Sequence, residues 1–424
     1  MTRRYAFLPG ASGSGSFWDP VQTLVAESDP TATCISIDWP GFGDVPADSR
    51  IKSYTDLANL AIEQLSGPTV LVAQSMGGFV ATLIWQQRPD LVSHLVFAAT
   101  SAGVDMQSLG ATDWRPGSQA ANPQNPAWMW DPTPDLTTTL QSITVKTLLV
   151  WATEDQTSPL AVGQHLSMLI PRARLHAFET NDHWVAREFA TEVAPAIVEL
   201  ATPHVGFLHT AEAHVDTFEA LIDAAQPGGH LATIHLVNEQ LLADAWANGV
   251  ASEELEADVL ASLEEMIEHN ADLIICTCST ISGLAERLGT ELRVPVMRVD
   301  RPMAAAAVAT GNTIAVVASV ESTIEPTLAL LQEEAARQGK SPQITSEPCY
   351  EAWALFASGD TEGYERAVAT HVEKLANRYD SIVLAQVSML GAQRFISSET
   401  ASSGAAVFVS PPAAVRAALD LIAD

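Results

Sequence analysis

The serine at position 75 lies in Val-Leu-Val-Ala-Gln-Ser-Met-Gly-Gly, residues 70–78, where a run of β-formers gives way to a helical stretch. Ala73 and Gly77 flank it because a sharp strand-to-helix turn leaves no room for bulk. That turn, a G-x-S-x-G elbow with Ala73 at its first position, lifts the Ser75 hydroxyl to the top of a sheet. A serine hydroxyl attacks a carbonyl only when a base takes its proton, and the base needs a carboxylate to hold its tautomer. Both partners follow in the order this turn requires. Asp155 ends Leu-Leu-Val-Trp-Ala-Thr-Glu-Asp, and His183 lies in Asn-Asp-His-Trp, 28 residues further on. Glu154 and Asp182 are the rivals for the carboxylate. The Met76 backbone N–H is aimed where the oxyanion of acyl transfer forms, and a second donor is expected from Ala11 or Ser12. The chemistry is that of a serine esterase or thioesterase.

Elements able to position these groups are present. Apolar β-type runs at 4–8, 33–37, 69–73, 94–99 and 147–152 alternate with helical stretches near 55–66, 77–88, 159–169 and 184–200. Such alternation marks an α/β domain with a parallel sheet covered on both faces, here 1–202. The segment at about 101–142 breaks the rhythm and carries Trp114, Trp128 and Trp130, so a short lid over Ser75 is expected. Trp114, Trp128 and Trp130 either contact substrate or form the lid's own small core.

Residues 203–424 read as a second α/β domain that is internally duplicated. His-Val-Gly-Phe-Leu-His-Thr at 204–210 has a counterpart in Thr-Ile-Ala-Val-Val-Ala-Ser at 313–319, an offset of 109. Ala-Asp-Leu-Ile-Ile-Cys-Thr-Cys-Ser at 271–279 matches Tyr-Asp-Ser-Ile-Val-Leu-Ala-Gln-Val at 379–387, an offset of 108. Two pseudo-symmetric halves, about 203–310 and 311–424, are expected, with a ligand cleft between them at the carboxyl ends of their strands.

Taken together, the elbow, the order of its partners and Asp-Trp-Pro-Gly-Phe-Gly at 38–43 resemble the α/β-hydrolase family across residues 1–200. Where that family has His-Gly before its oxyanion loop, this chain has Pro9-Gly10. The second region resembles the aspartate/glutamate racemase superfamily. Its marks are the duplication, Cys278-Ser279-Thr280 at a strand end, and Val-Pro-Val-Met-Arg-Val-Asp-Arg-Pro-Met at 294–303. The resemblance implies cofactor-free proton transfer at the carbon next to a carboxylate, which its racemases perform with two opposed thiols. The position matching Cys278 in the other half is Gln386, and an amide exchanges no proton near neutral pH. The resemblance therefore implies a single catalytic thiol, Cys278, beside the substrate-binding groups Thr210, Ser279, Thr280, Ser319, Gln386 and Ser388. Relatives of that kind are decarboxylases and cis–trans isomerases of small carboxylic acids. The rival for this domain is a non-catalytic binding or dimerisation module. A third reading keeps the hydrolase scaffold but gives it non-hydrolytic work such as C–C cleavage.

The remaining features set limits. Cys276 and Cys349 read as core or structural residues, and His209 and His235 as satisfied core histidines. Four cysteines make no disulfide framework, so a reducing cytoplasm is the natural setting. A net charge of −30 excludes a nucleic-acid or anionic-membrane surface. No apolar run approaches the ~20 residues of a membrane span. No cofactor and no metal are expected, since no cluster has ligand spacing. The expected partners are small esters and carboxylic acids, with a homodimer formed through the second domain.

Overall fold

The computed structural model describes residues 2–226, 231–397 and 404–423. It divides into two compact units, Met1–Thr202 and Pro203–Asp424. None of the described helices is long and apolar enough to cross a membrane.

In the first unit, strands β1 (Arg4–Leu8), β2 (Thr33–Ser36), β3 (Thr69–Gln74), β4 (Val92–Ala98), β5 (Thr147–Ala152) and β6 (Ala173–Phe178) form one parallel sheet. Its order is β2-β1-β3-β4-β5-β6. Every residue of β3 and β5 is buried, as expected of strands covered on both faces. On one face Leu71, Phe97 and Trp151 meet Leu57 from the helix Tyr54–Ile62 and Phe79 and Ile84 from the helix Met76–Gln87. On the other, Phe7, Val72 and Val150 meet Val21 and Val25 from Asp19–Ser28 and Val193 and Ile197 from Ala190–Ala201. The sixth strand has no apolar run to announce it. Arg174 and His176 are exposed on β6, which an edge strand allows.

The second unit holds two parallel four-stranded sheets. The first contains β7 (His204–His209), β8 (Ala232–Val237), β9 (Leu273–Cys276) and β10 (Val296–Arg298), in the order β10-β9-β7-β8. The second contains β11 (Thr313–Val317), β12 (Gln343–Ser346), β13 (Ser381–Leu384) and β14 (Ala406–Val409). Its order, β12-β11-β13-β14, is the same topology repeated. Packing does not follow the sequence boundary near residue 310, however. The helix Arg301–Thr310 lays Met303, Ala307 and Val308 against Ile314, Val316 and Val383 of the second sheet. Conversely, the helix Ser410–Ala423 lays Ala414, Val415 and Ala418 against Val205, Phe207 and Ile275 of the first. Each sheet lies within one of the halves expected at 203–310 and 311–424, and each is capped by a helix from the other side of the boundary.

The 294–303 motif is architectural. Arg298 and Asp300 form a buried two-pronged pair at 2.8 and 2.9 Å. Arg301 meets Glu286 of the first half and both Glu333 and Glu334 of the second. The paired acids raise the already basic Arg301 further.

Candidate active site

Ser75 has φ +52° and ψ −117°, outside the helical region that begins at Met76. Neighbours hold it there. The Ser75 N–H donates to the Ala98 carbonyl at 2.9 Å, and the Thr100 hydroxyl donates to the Ser75 carbonyl at 2.5 Å. The small residues around it are required by close approach. A Cβ on Gly77 would sit 2.5 Å from the Leu8 carbonyl oxygen, and one on Gly10 would sit 3.2 Å from the Ser75 Cβ, against the movable end of the Gln74 side chain. Pro9-Gly10 therefore lets the loop after β1 pass close to the elbow.

The structure brings Ser75, His183 and Asp155 together. His183 Nε2 is 3.1 Å from Ser75 Oγ, and His183 Nδ1 is 2.7 Å from Asp155 Oδ2. The network assigns the proton to Nδ1, so Nε2 is free to accept from the serine. Asp155 is 3% exposed. Burial alone would raise its carboxyl, but the hydrogen bond and charge of His183 and the N–H groups of Thr157 and Ser158 hold it below the usual range. The rivals stand elsewhere: Glu154 is exposed, and exposed Asp182 accepts the Trp184 N–H at 2.8 Å.

Above these groups opens a pocket of about 760 Å³, within the range of small-molecule sites. Ala11, Ser12 and Met76 line it beside Ser75 and His183. The 101–142 segment supplies much of the wall, including Val104, Met106, Trp114 and Met129. Trp128 and Trp130, for which substrate contact was one of two expectations, do not line it. The Trp128 ring packs edge-on against Phe42 and Tyr54 at 5.6 and 5.0 Å, and Trp130 lies 6.0 Å from Trp114. Both are partly buried against the core, where their apolar area is already used. Three residues not singled out by sequence matter here. Asn125 accepts the Gly43 N–H at 3.2 Å and donates to Ala11 O at 3.4 Å, tying the 101–142 segment to the loop after β1. The Tyr54 hydroxyl holds the Met129 carbonyl at 2.9 Å, and half-exposed Trp184 stands at the rim. The Asn-Pro pair at 125–126, a turn signal inside the lid, was the available sign for Asn125.

In the second unit Cys278, 7% exposed, lines a cavity of about 90 Å³ with Thr210, Ser279, Thr280, Gln386 and Ser388. Ser319 does not line it. The Ser319 N–H and hydroxyl donate to Gln386 Oε1 at 2.7 and 2.9 Å, and the Val320 N–H joins them at 3.2 Å. Ser319 thus orients the amide and presents nothing to a ligand. Cys276 and Cys349 sit in hydrophobic clusters; burial raises both thiols, that of Cys349 to about 12. His209 and His235 have protein partners. His209 bonds Thr277 at 2.9 Å and His235 at 2.8 Å, and His235 bonds Glu219 at 2.7 Å. Burial pushes His209 down to about 3, so it is neutral. Among the described residues no group of three or more His, Cys, Asp or Glu is arranged to hold a metal ion.

Comparison with known proteins divides the chain at the same place. Residues 6–196 match the Alpha/beta hydrolase family and residues 206–418 match Asp/Glu/Hydantoin racemase. No curated protein matches. Solved structures similar to the first part include the esterase RhEst1 from Rhodococcus sp. ECU1013, at 18% identity and a TM-score of 0.37, covering 47% of this chain and 91% of that one. The esterase EaEST from Exiguobacterium antarcticum is similar at 20% identity and a TM-score of 0.39, over 46% and 91% of the two chains. A thermophilic esterase from Thermogutta terrifontis is similar at 19% identity and a TM-score of 0.39, over 47% and 90%.

Proposed function

Because the chain belongs to the Alpha/beta hydrolase family over residues 6–196 and to the Asp/Glu/Hydantoin racemase family over residues 206–418, we propose a bifunctional enzyme whose first unit is a serine hydrolase of carboxylic esters or thioesters. The observation that carries the hydrolase reading is the hydrogen-bonded run from Ser75 through His183 to Asp155 at the floor of an open pocket. Ser75 Oγ attacks the acyl carbon as its proton passes to His183 Nε2. Asp155 steadies the imidazolium, and the Met76 N–H with one from Ala11 or Ser12 receives the oxyanion. His183 then returns the proton to the leaving alcohol or thiol, and water repeats the sequence on the acyl-serine. The test is fluorophosphonate labelling mapped by peptide mass, alongside p-nitrophenyl butyrate hydrolysis. Label on Ser75 and a fall of roughly 10³-fold or more in kcat for Ser75→Ala support the reading. Wild-type turnover by purified Ser75→Ala overturns it.

For the second unit, we propose decarboxylation or isomerisation of a small carboxylic acid by one thiol. Cys278 packs at the edge of a hydrophobic cluster and also lines a cavity, and the opposed position holds Gln386, whose carbonyl is fixed by three donors. Cys278 moves a proton at the carbon beside the carboxylate, and the position matching it in the other half offers an amide in place of a second thiol. Solvent-deuterium incorporation into malonate-type acids, lost in Cys278→Ala, supports this. Fast exchange with inversion of aspartate or glutamate overturns it. The binding-module reading has its own support in the small cavity, whose wall includes the Trp246 indole, bonded to Ser322 at 3.0 Å. It predicts no turnover and a Cys278 inert to alkylation.

A further inference from the structure

Among the described residues, four other than glycine have a left-handed φ: Ser75, Ala99, Ala102 and Asn270. Asparagine tolerates that region, whereas alanine has no polar side chain to offset the cost. Such conformations persist only where the surrounding structure over-determines them, and they gather at working sites. Here three of the four meet at Thr100. Ala99 precedes it in the chain, the Ala102 N–H donates to its Oγ1 at 3.0 Å, and its hydroxyl donates to the Ser75 carbonyl. An N–H can only donate, so Oγ1 accepts from Ala102 and its own hydrogen is committed to Ser75.

Thr100 is 1% exposed and takes no place in the pocket wall, although Ala99 and Ser101 on either side of it do. It is itself firmly held. The Thr100 carbonyl accepts the buried Ser158 hydroxyl at 3.4 Å, and the Ser158 N–H is one of those that hold Asp155. Its side chain fills the space beside Gly78, where a Cβ would sit 2.5 Å from the threonine Cγ2 and 2.7 Å from its Cβ. The Ser75 carbonyl takes the Gly78 N–H as well, at 3.0 Å, so two donors fix it. What they fix is one end of a peptide plane. The Ser75 C=O and the Met76 N–H belong to the same group, and in a trans peptide they point in opposite directions. Holding the Ser75 oxygen toward Thr100 therefore sets the direction of the Met76 N–H.

We propose that Thr100 is a positioning residue of the first unit, whose hydroxyl orients the Ser75–Met76 peptide so that the Met76 N–H meets the oxyanion. The proposal rests on the serine-hydrolase reading above and adds to it a residue that touches no substrate. The left-handed alanines on either side turn the chain after β4 so that this hydroxyl reaches the elbow. A misaimed donor leaves ground-state binding nearly as it was and stabilises the transition state less. The role therefore shows in kcat and in the affinity for tetrahedral adducts, not in KM.

Thr100→Ser and Thr100→Ala differ from each other by the hydroxyl alone, and neither side chain is large enough to push on the elbow. Active sites are counted by fluorophosphonate titration of Ser75, so that any misfolded fraction drops out. Turnover of p-nitrophenyl butyrate and inhibition by an alkyl trifluoromethyl ketone are then read per site. In the ketone adduct Ser75 Oγ bonds the carbonyl carbon, its proton passes to His183, and the carbonyl electron pair becomes the oxyanion. Thr100→Ala is expected to lower kcat about 10–100-fold, to weaken the ketone by a similar factor and to leave KM within about threefold. Thr100→Ser stays within about threefold of wild type in all three. Equal kcat and ketone affinity per site in the two variants overturn the proposal, and a lower melting temperature of Thr100→Ala alone does not save it. Should Thr100→Ala not fold, Thr100→Val, which fills the vacated space, is compared with Thr100→Ser by the same two outcomes. If wild-type Ser75 takes no fluorophosphonate, the hydrolase reading itself fails and the proposal falls with it.

Discussion

A β carbon at position 77 would meet two backbone oxygens, 2.5 Å from Leu8 and 2.6 Å from Pro9, and backbone cannot swing aside as a side chain can. Gly77→Ala is therefore expected to lower stability by about 2–4 kcal/mol, read as a fall in the denaturant midpoint. Asp155→Asn is a quieter change with a larger effect on chemistry. It keeps the shape but no longer selects the His183 tautomer, so kcat for p-nitrophenyl esters should fall roughly 10³–10⁴-fold with little change in KM. Because the Asp155 carboxyl is held below its usual range, its ionised form stabilises the fold above the unfolded-state pKa. That contribution is lost as pH falls through the folded value. The acid limb of a stability-versus-pH curve should accordingly be shallower in Asp155→Asn. At this scale the readable residues were those tied to local geometry. Ser75 is announced by Ala73 and Gly77 on either side of it. That Ser319 holds the Gln386 carbonyl and presents nothing to a ligand depends on who else has a bond, and no local pattern carries that.

Elements were legible in proportion to their burial. β3 and β5 are covered on both faces and read as unbroken apolar runs, whereas β6 lies at the edge with Arg174 and His176 exposed. The lid was visible as a break in rhythm, but which tryptophan points inward was not, because short helices set that direction only after they dock. Trp114 lines the pocket; Trp128 fills the space between Phe42 and Tyr54. The two substitutions should separate cleanly. Trp114→Ala is expected to change the ranking of short against bulky acyl chains at nearly unchanged melting temperature. Trp128→Ala should destabilise the unit by about 1–3 kcal/mol, less than for a fully buried tryptophan, and lower activity on all esters alike. An unchanged ranking in Trp114→Ala would remove that ring from specificity.

Across the whole molecule the excess of acid over base reaches the pocket mouth. Asp105, Asp113 and Asp135 line it, against Arg115, which pairs with Asp113 at 3.4 Å and lies over Trp114. A thioester of coenzyme A brings several phosphate charges to that rim. It should be hydrolysed more slowly than the N-acetylcysteamine thioester of the same acyl group, and added salt should narrow the gap. Equal rates at low ionic strength would show that the rim is electrostatically silent. The acidity was legible as a total of −30, but its arrangement around a pocket was not.

The exchanged helices bear on how the chain comes off the ribosome. The hydrolase sheet has both its covering layers by Ala201, so that unit can close while later residues are still being made. The first sheet of the second unit cannot. Val205, Phe207 and Ile275 are covered by Ser410–Ala423, which is translated only after the entire second sheet. Until then an apolar sheet face stays open to chaperones or to another nascent copy. The interval in which this protein is vulnerable to misassembly is therefore written into its topology, and it ends only when that helix arrives.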